Sequence, residues 1–199
     1  MTAQPTRSVA ILVFDDVEVL DFCGPFEAFS VAGFVEGETP FKVSLVAETP
    51  EPVRARNGLR VLPDSTLETC PAPDILVVPG GPGTRPLIKN ERVLEWLKEM
   101  VTPTRTTVSV CSGALLLGRA GLLDGLHATT HHRALDELRR IAPEAIVHTD
   151  KRYIWNGELV IAAGVSSGID ASLDVVSRLC GETMARSTAN YMEYEWRRP

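Results

Sequence analysis

The chain has 199 residues, of which 44% are hydrophobic and 23% charged: enough apolar material for one sizeable core, without the bias of a disordered or fibrous protein. Its net charge of −6 argues against a nucleic-acid surface, because neutralising phosphates takes an excess of Lys and Arg. Cys23, Cys70, Cys111 and Cys180 lie far apart with no C-x-x-C pair, which points away from a zinc site or a disulfide framework. Met1 to Ser8 is polar and only a short apolar run follows. This predicts no signal peptide, no membrane span and a cytoplasmic protein with reduced thiols.

In chain order, Val9 to Phe14 is a continuous apolar run of strand length, as expected of a strand covered on both faces. Asp15-Asp16 closes it, and Gly24-Pro25 is read as opening a helix over Phe26 to Ala32, since Pro suits a first turn. Phe41 to Ala47 reads as a strand. Asn57-Gly58 between two short extended runs signals a hairpin, at a sheet edge or in a small flap. Asp74 to Pro79 is another buried strand and ends in Gly80-Gly81-Pro82-Gly83. A helix over Asn90 to Val101 carries Val93, Leu94, Leu97 and Val101 on one stripe. Thr107 to Val110 is a β-branched strand that stops at Cys111, and a helix of small and apolar residues begins at once. Further on come a short strand around Ala128-Thr129, a helix over His132 to Ile141 and a strand over Ala145 to His148. A second Asn-Gly hairpin spans Tyr153 to Ile161, followed by helices over Ile169 to Leu179 and Met184 to Glu195. Strands alternating with helices predict a single domain over residues 1–199, a doubly wound α/β sandwich on a mostly parallel sheet with two hairpins added.

Open α/β sheets bind ligands beyond the carboxyl ends of their strands. Three such ends carry unusual residues. Cys111 sits where a strand turns into a helix, a position that supplies unpaired N–H groups and the positive end of the helix dipole and is expected to favour the thiolate. The Gly-Gly-Pro-Gly turn lacks nucleotide-binding spacing but leaves backbone N–H groups able to approach a reacting atom. Asp21 is an acid inside the apolar run Val17 to Phe29; it serves either as a cap or as a general acid/base that shares a proton with the thiol. Glu27, further along the same segment, is a second candidate for that role. His131 follows a short strand and is a possible accessory residue.

Phe14-Asp15-Asp16-Val17-Glu18-Val19-Leu20-Asp21-Phe22-Cys23-Gly24-Pro25, Val78-Pro79-Gly80-Gly81-Pro82-Gly83, Val110-Cys111-Ser112-Gly113 and Ala128-Thr129-Thr130-His131 occur in an order that resembles the PfpI/ThiJ superfamily. That superfamily has a flavodoxin-like fold of the class I glutamine amidotransferase type. The similarity runs from about Val9 to Glu195 and is nearest to isocyanide hydratases and the amidotransferase-like domain of AraC-type regulators. The resemblance implies Cys111 as nucleophile and Asp21 as its acid. It also implies that the backbone amides of Gly81 and Ser112 face the substrate, that His131 lies near the nucleophile and that the protein is a homodimer. Phe22, Phe26 and Phe29 suit such a contact or the core equally.

Departures from the superfamily pattern narrow the reading. Ser109 stands where glutamine amidotransferases have a glycine, and no downstream His-x-Glu is present, which argues against glutaminase activity. Ser112 replaces the His that protease-like members place after the cysteine. The resemblance thus implies an isocyanide hydratase-like lyase that works without a metal or organic cofactor. It would add water to an isonitrile through a Cys111 thioimidate and give an N-substituted formamide. The alternatives are a cysteine-based redox or ligand sensor without turnover, and a glyoxalase-like enzyme acting on α-oxoaldehydes.

Overall fold

The computed structural model describes residues 5–102 and 104–198. Its centre is a seven-stranded sheet made from β1 (Arg7–Leu12), β2 (Phe41–Ala47), β5 (Ser65–Thr66), β6 (Ile75–Val78), β7 (Thr106–Val110), β10 (Tyr153–Asn156) and β11 (Leu159–Ala162). The spatial order is β10-β11-β7-β6-β1-β2-β5. Every pairing is parallel except β10 with β11, which form the second Asn-Gly hairpin. The strands in the middle read as unbroken apolar or β-branched runs because both faces are covered; all of β6 and all of β7 are buried.

One face is covered by α1 (Val19–Ser30), α6 (Ser167–Cys180) and α7 (Glu182–Tyr191), which pack on one another and on the sheet. The other face carries α2 (Thr84–Leu87), α3 (Glu91–Val101), α4 (Gly113–Arg119) and α5 (Leu135–Ile141). In α3, Val93, Leu94, Trp96 and Leu97 are buried, and the Asn90 side chain caps the helix by accepting from the Val93 amide at 3.4 Å. The first Asn-Gly pair forms a separate flap, β3 (Val53–Arg54) against β4 (Arg60–Val61), with Asn57 and Gly58 both at positive φ (61° and 91°). A small parallel pair, β8 (His127–Ala128) with β9 (Ile146–Val147), completes the fold. The four cysteines are free.

Two helix boundaries depart furthest from the sequence-based reading, while the helix read from His132 begins as a 3₁₀ turn and is α-helical from Leu135. The first helix starts at Val19, so Pro25 lies inside it rather than at its start. Pro25 has no N–H to bond the carbonyl of Asp21 four residues earlier, and Gly24 beside it lets α1 come close to α6: a Cβ there would meet Ile169 Cγ1 at 2.8 Å. The last helix stops at Tyr191 rather than at Glu195, and Glu193 adopts a left-handed φ of 48°. Of the three phenylalanines weighed for a subunit contact, Phe22 and Phe29 belong to the core, whereas Phe26 is exposed. Among the described residues, no helix is long and apolar enough to cross a membrane.

Candidate active site

Because β1, β6 and β7 are neighbours, the three unusual strand ends converge. Cys111 has a φ of 56°, a left-handed conformation that a non-glycine residue adopts only when its surroundings enforce it. Its amide donates to the Ala163 carbonyl at 2.7 Å, and its own carbonyl accepts from Thr130 Oγ1 at 2.7 Å. Both backbone polar groups are therefore pinned, and the chain must turn. Gly113 allows the new helix to start against β6, since a Cβ there would collide with the Val78 carbonyl oxygen.

Asp21 lies in the first turn of α1 and is fully buried. The Gly80 amide donates to its Oδ2 at 3.0 Å, while Oδ1 is buried without a hydrogen-bond partner. Burial pushes the Asp21 carboxyl up to about 7, against the opposing pull of the Gly80 N–H and the neighbouring Cys111 thiol. The Cys111 thiol is also pushed up, first by burial and then by the negative charge of Asp21, and the amides of Ser112 and Val165 offset this only in part. The turn thus does not yield the resting thiolate that a strand-to-helix position suggests, because desolvation outweighs the local dipoles. What results is a carboxyl and a thiol placed to share one proton at neutral pH.

Ser112 Oγ accepts from the Gly81 amide at 2.9 Å, and Thr84 Oγ1 donates to the Gly81 carbonyl at 2.8 Å. The Gly81 N–H expected to face a substrate is therefore engaged by Ser112. The backbone N–H groups that face the sulfur come from Ser112 and Val165. Val165 is β-branched yet has a φ of 45°, so the loop before α6 is also held in a strained shape. Asp170 anchors that loop. It is fully buried, pairs with Arg152 and accepts from the Arg197 amide at 2.8 Å, while Arg152 also reaches Ser166 Oγ at 3.3 Å.

His131 is half-buried on the cavity wall, and its Nδ1 accepts from the Arg133 amide at 3.2 Å. Burial, His132 and Arg133 push its pKa down. The neutral ring therefore carries its proton on Nε2. Glu27 is exposed and lines no part of this site. It follows Asp21 by six residues, which turns it about 240° around the helix.

Cys111, Gly81, Ser112, His131 and Val165 line a cavity of about 460 Å³, with Asp21 beneath its floor. Sequence reasoning missed its charged wall. Arg56 comes from the flap and pairs with Glu18 at 2.6 Å; Arg85 pairs with Glu137 at 2.6 Å and braces the Gly81 carbonyl at 3.3 Å; Arg133 follows the histidines. Adjacency to a turn was the one local signal for the first two, Arg56 just before Asn57-Gly58 and Arg85 just after Gly81-Pro82-Gly83. A smaller cavity of about 280 Å³ beside the ends of β1 and β2 has no cysteine or serine among its described lining residues. Among the described residues, no three His, Cys, Asp or Glu side chains gather so as to hold a metal ion.

Gly80 lies between the elbow and the acid: a Cβ there would land on the Ser112 amide nitrogen and come within 3.0 Å of Asp21 Oδ2. Gly80→Ala is expected to cost about 1–3 kcal/mol of stability in urea unfolding, as overpacking does. A change below about 0.5 kcal/mol would show that the floor yields, since surface substitutions fall in that range.

Fold and site together define a doubly wound α/β protein with a cysteine on a strand-to-helix elbow above a buried acid. The chain belongs to the DJ-1/PfpI family, whose model matches residues 7–178. It is 33% identical over 186 residues to the isonitrile hydratase of Pseudomonas putida, an alignment covering 94% of this chain and 78% of that protein. It is 24% identical over 189 residues to the HTH-type transcriptional regulator GbdR of Pseudomonas aeruginosa, covering 95% of this chain and 51% of the regulator. The solved structure of a THiJ/PfpI family protein from Pseudomonas syringae superposes with a TM-score of 0.86 at 31% identity, over 98% of this chain and 78% of that one.

Proposed function

We propose that this protein is a cysteine-dependent hydratase that converts isonitriles to N-substituted formamides. The observation that carries the reading is the buried Asp21 carboxyl set against the elbow thiol of Cys111, with a pKa of about 7. The similarity to an isonitrile hydratase supports it.

In the first step, sulfur attacks the terminal isonitrile carbon as Asp21 takes the thiol proton. That proton then passes to the same carbon, giving a neutral thioimidate, R–N=CH–S–Cys111. Next, Asp21 takes a proton from water as the oxygen adds to the carbon, and the nitrogen ends up protonated. Collapse expels the Cys111 sulfur, which regains a proton, and releases R–NH–CHO. The sum is isonitrile plus water giving formamide, and the enzyme returns to its starting protonation. The Ser112 and Val165 amides aimed at the sulfur stabilise its negative charge during attack and departure.

A redox-sensing role gains nothing from this geometry. Sensor thiols are low in pKa and open to solvent, whereas Cys111 is 6% exposed and raised. The implied homodimer would use the outer face of α1, where Leu20 and Phe26 are exposed. Incubation with an aryl isocyanide, followed by mass spectrometry, tests the function. A formamide product and a transient adduct on Cys111 of the isonitrile's mass are expected. No product, with conversion of methylglyoxal to lactate instead, would replace the hydratase by the glyoxalase reading.

A further inference from the structure

The chain as a whole is acidic, at −6, yet the cavity over Cys111 is lined by Arg56, Arg85 and Arg133 against one acid, Glu18. Arg56 is committed to Glu18 and Arg85 to Glu137. Among the described residues, no carboxylate pairs with Arg133, which stands exposed at the rim beside His131. Counting Glu137 with its partner, the rim of the site keeps one positive charge that no surface carboxylate offsets, the remaining acid of the site being Asp21, buried beneath the floor. The apolar side chains of the wall are short, Pro82, Ala134 and Val165, with no Phe, Tyr, Trp or long aliphatic side chain among them. Such a wall suits a compact ligand that carries charge better than a bulky hydrocarbon.

We propose that the cavity selects small electrophiles bearing a carboxylate, which Arg133 binds at the rim while the electrophilic carbon meets Cys111. This deepens the hydratase reading and, in that part, rests on it. The substrate is then an isocyano carboxylate and the product an N-formyl amino acid: ⁻OOC–CHR–NC plus water gives ⁻OOC–CHR–NH–CHO. The guanidinium offers a paired set of donors that matches a carboxylate, and it stays charged throughout the working pH range.

Alkylation of Cys111 tests the anion site without any turnover. Peptide-resolved mass spectrometry gives the rates of reaction with iodoacetate and with iodoacetamide. Their ratio is referred to the same residue in the urea-unfolded chain, which cancels intrinsic differences between the reagents. The folded protein is expected to favour iodoacetate by about tenfold at low salt, with the preference shrinking at high salt and in Arg133→Gln. A folded ratio equal to the unfolded one, or one that Arg133→Gln leaves in place, overturns the proposal. In parallel, isocyanoacetate is compared with its methyl ester. A kcat/KM favouring the acid, lost through KM in Arg133→Gln, is expected; an ester used equally well counts against the site. If neither isonitrile turns over, the hydratase reading fails and the alkylation ratio alone upholds or overturns the anion site.

Discussion

Asp21→Asn is expected to slow isonitrile turnover at pH 8 by about 10²–10⁴-fold, the usual contribution of a positioned acid/base, without slowing the alkylation of Cys111 by iodoacetamide. The two readouts should part because Asp21 does two opposed things to the sulfur. Its carboxyl is the group placed to exchange a proton with the thiol, so turnover needs it. Its negative charge, however, holds the thiol pKa up, so removing that charge leaves more thiolate for a reagent that needs no proton relay. Parallel loss of both rates would mean that the substitution has merely distorted the pocket. In the wild type, kcat/KM is expected to fall about tenfold per pH unit below about 7 as the Asp21 carboxylate is protonated, and this acid limb should be absent from the variant.

The same substitution should raise stability. A carboxyl held above its ordinary value favours the protonated form in the folded protein. Its contribution is full below the unfolded pKa and is lost as the pH rises through about 7. Asparagine keeps an oxygen for the Gly80 amide and never ionises. At pH 8, Asp21→Asn is therefore expected to be more stable than wild type by about 1–3 kcal/mol, below the full linkage value because the wild-type pair keeps one shared proton. Equal stability at pH 8 would argue that the fold does not penalise the Asp21 carboxylate and so does not raise its pKa.

The second large effect is that of Cys111→Ala, which should lower turnover by at least about 10³-fold and abolish the covalent adduct, because Cys111 is the one thiol among the described residues lining the cavity and the Ser112 hydroxyl is engaged with Gly81. Alanine keeps the Cβ and therefore the left-handed strain at φ 56°, so the variant separates loss of sulfur from relaxation of the turn. Residual formamide formation near the wild-type rate would remove the thioimidate from the mechanism and leave Asp21 activating water directly.

The strands were legible because burial on both faces turns each into an unbroken apolar run, as in Val9 to Phe14 and Ile75 to Val78. Cys111 was legible because a change of residue preference, β-branched to small and helical, falls on one position. Asp21 and Gly80 needed more. Their hydrogen bond spans 59 residues, and only the adjacency of β1 and β6 brings them together. Pro25 was misplaced because a helix-opening proline and one tolerated inside a helix look alike until the close packing of Gly24 on Ile169 is seen. The thiolate reading failed for a similar reason: local dipoles can be read along the chain, but the burial that overrides them is set by the whole sheet. Arg56, Arg85 and Arg133 escaped notice because three short helical segments far apart in sequence deliver them, and none has a local pattern that announces its neighbours.

The left-handed turn at Cys111, pinned from Ala163 and Thr130, has a consequence for the life of the chain before it is folded. None of these contacts is local in sequence, and parallel strands pair only after long crossovers close, so the elbow is a late product of folding. Until then Cys111 is an ordinary solvated thiol, lower in pKa than in the finished protein and open to oxidants. The native structure shelters its own sulfur. Oxidative loss of this protein should therefore fall on newly made or unfolding chains, and factors that speed the pairing of β7 with β11 and β6 protect it as effectively as any reductant.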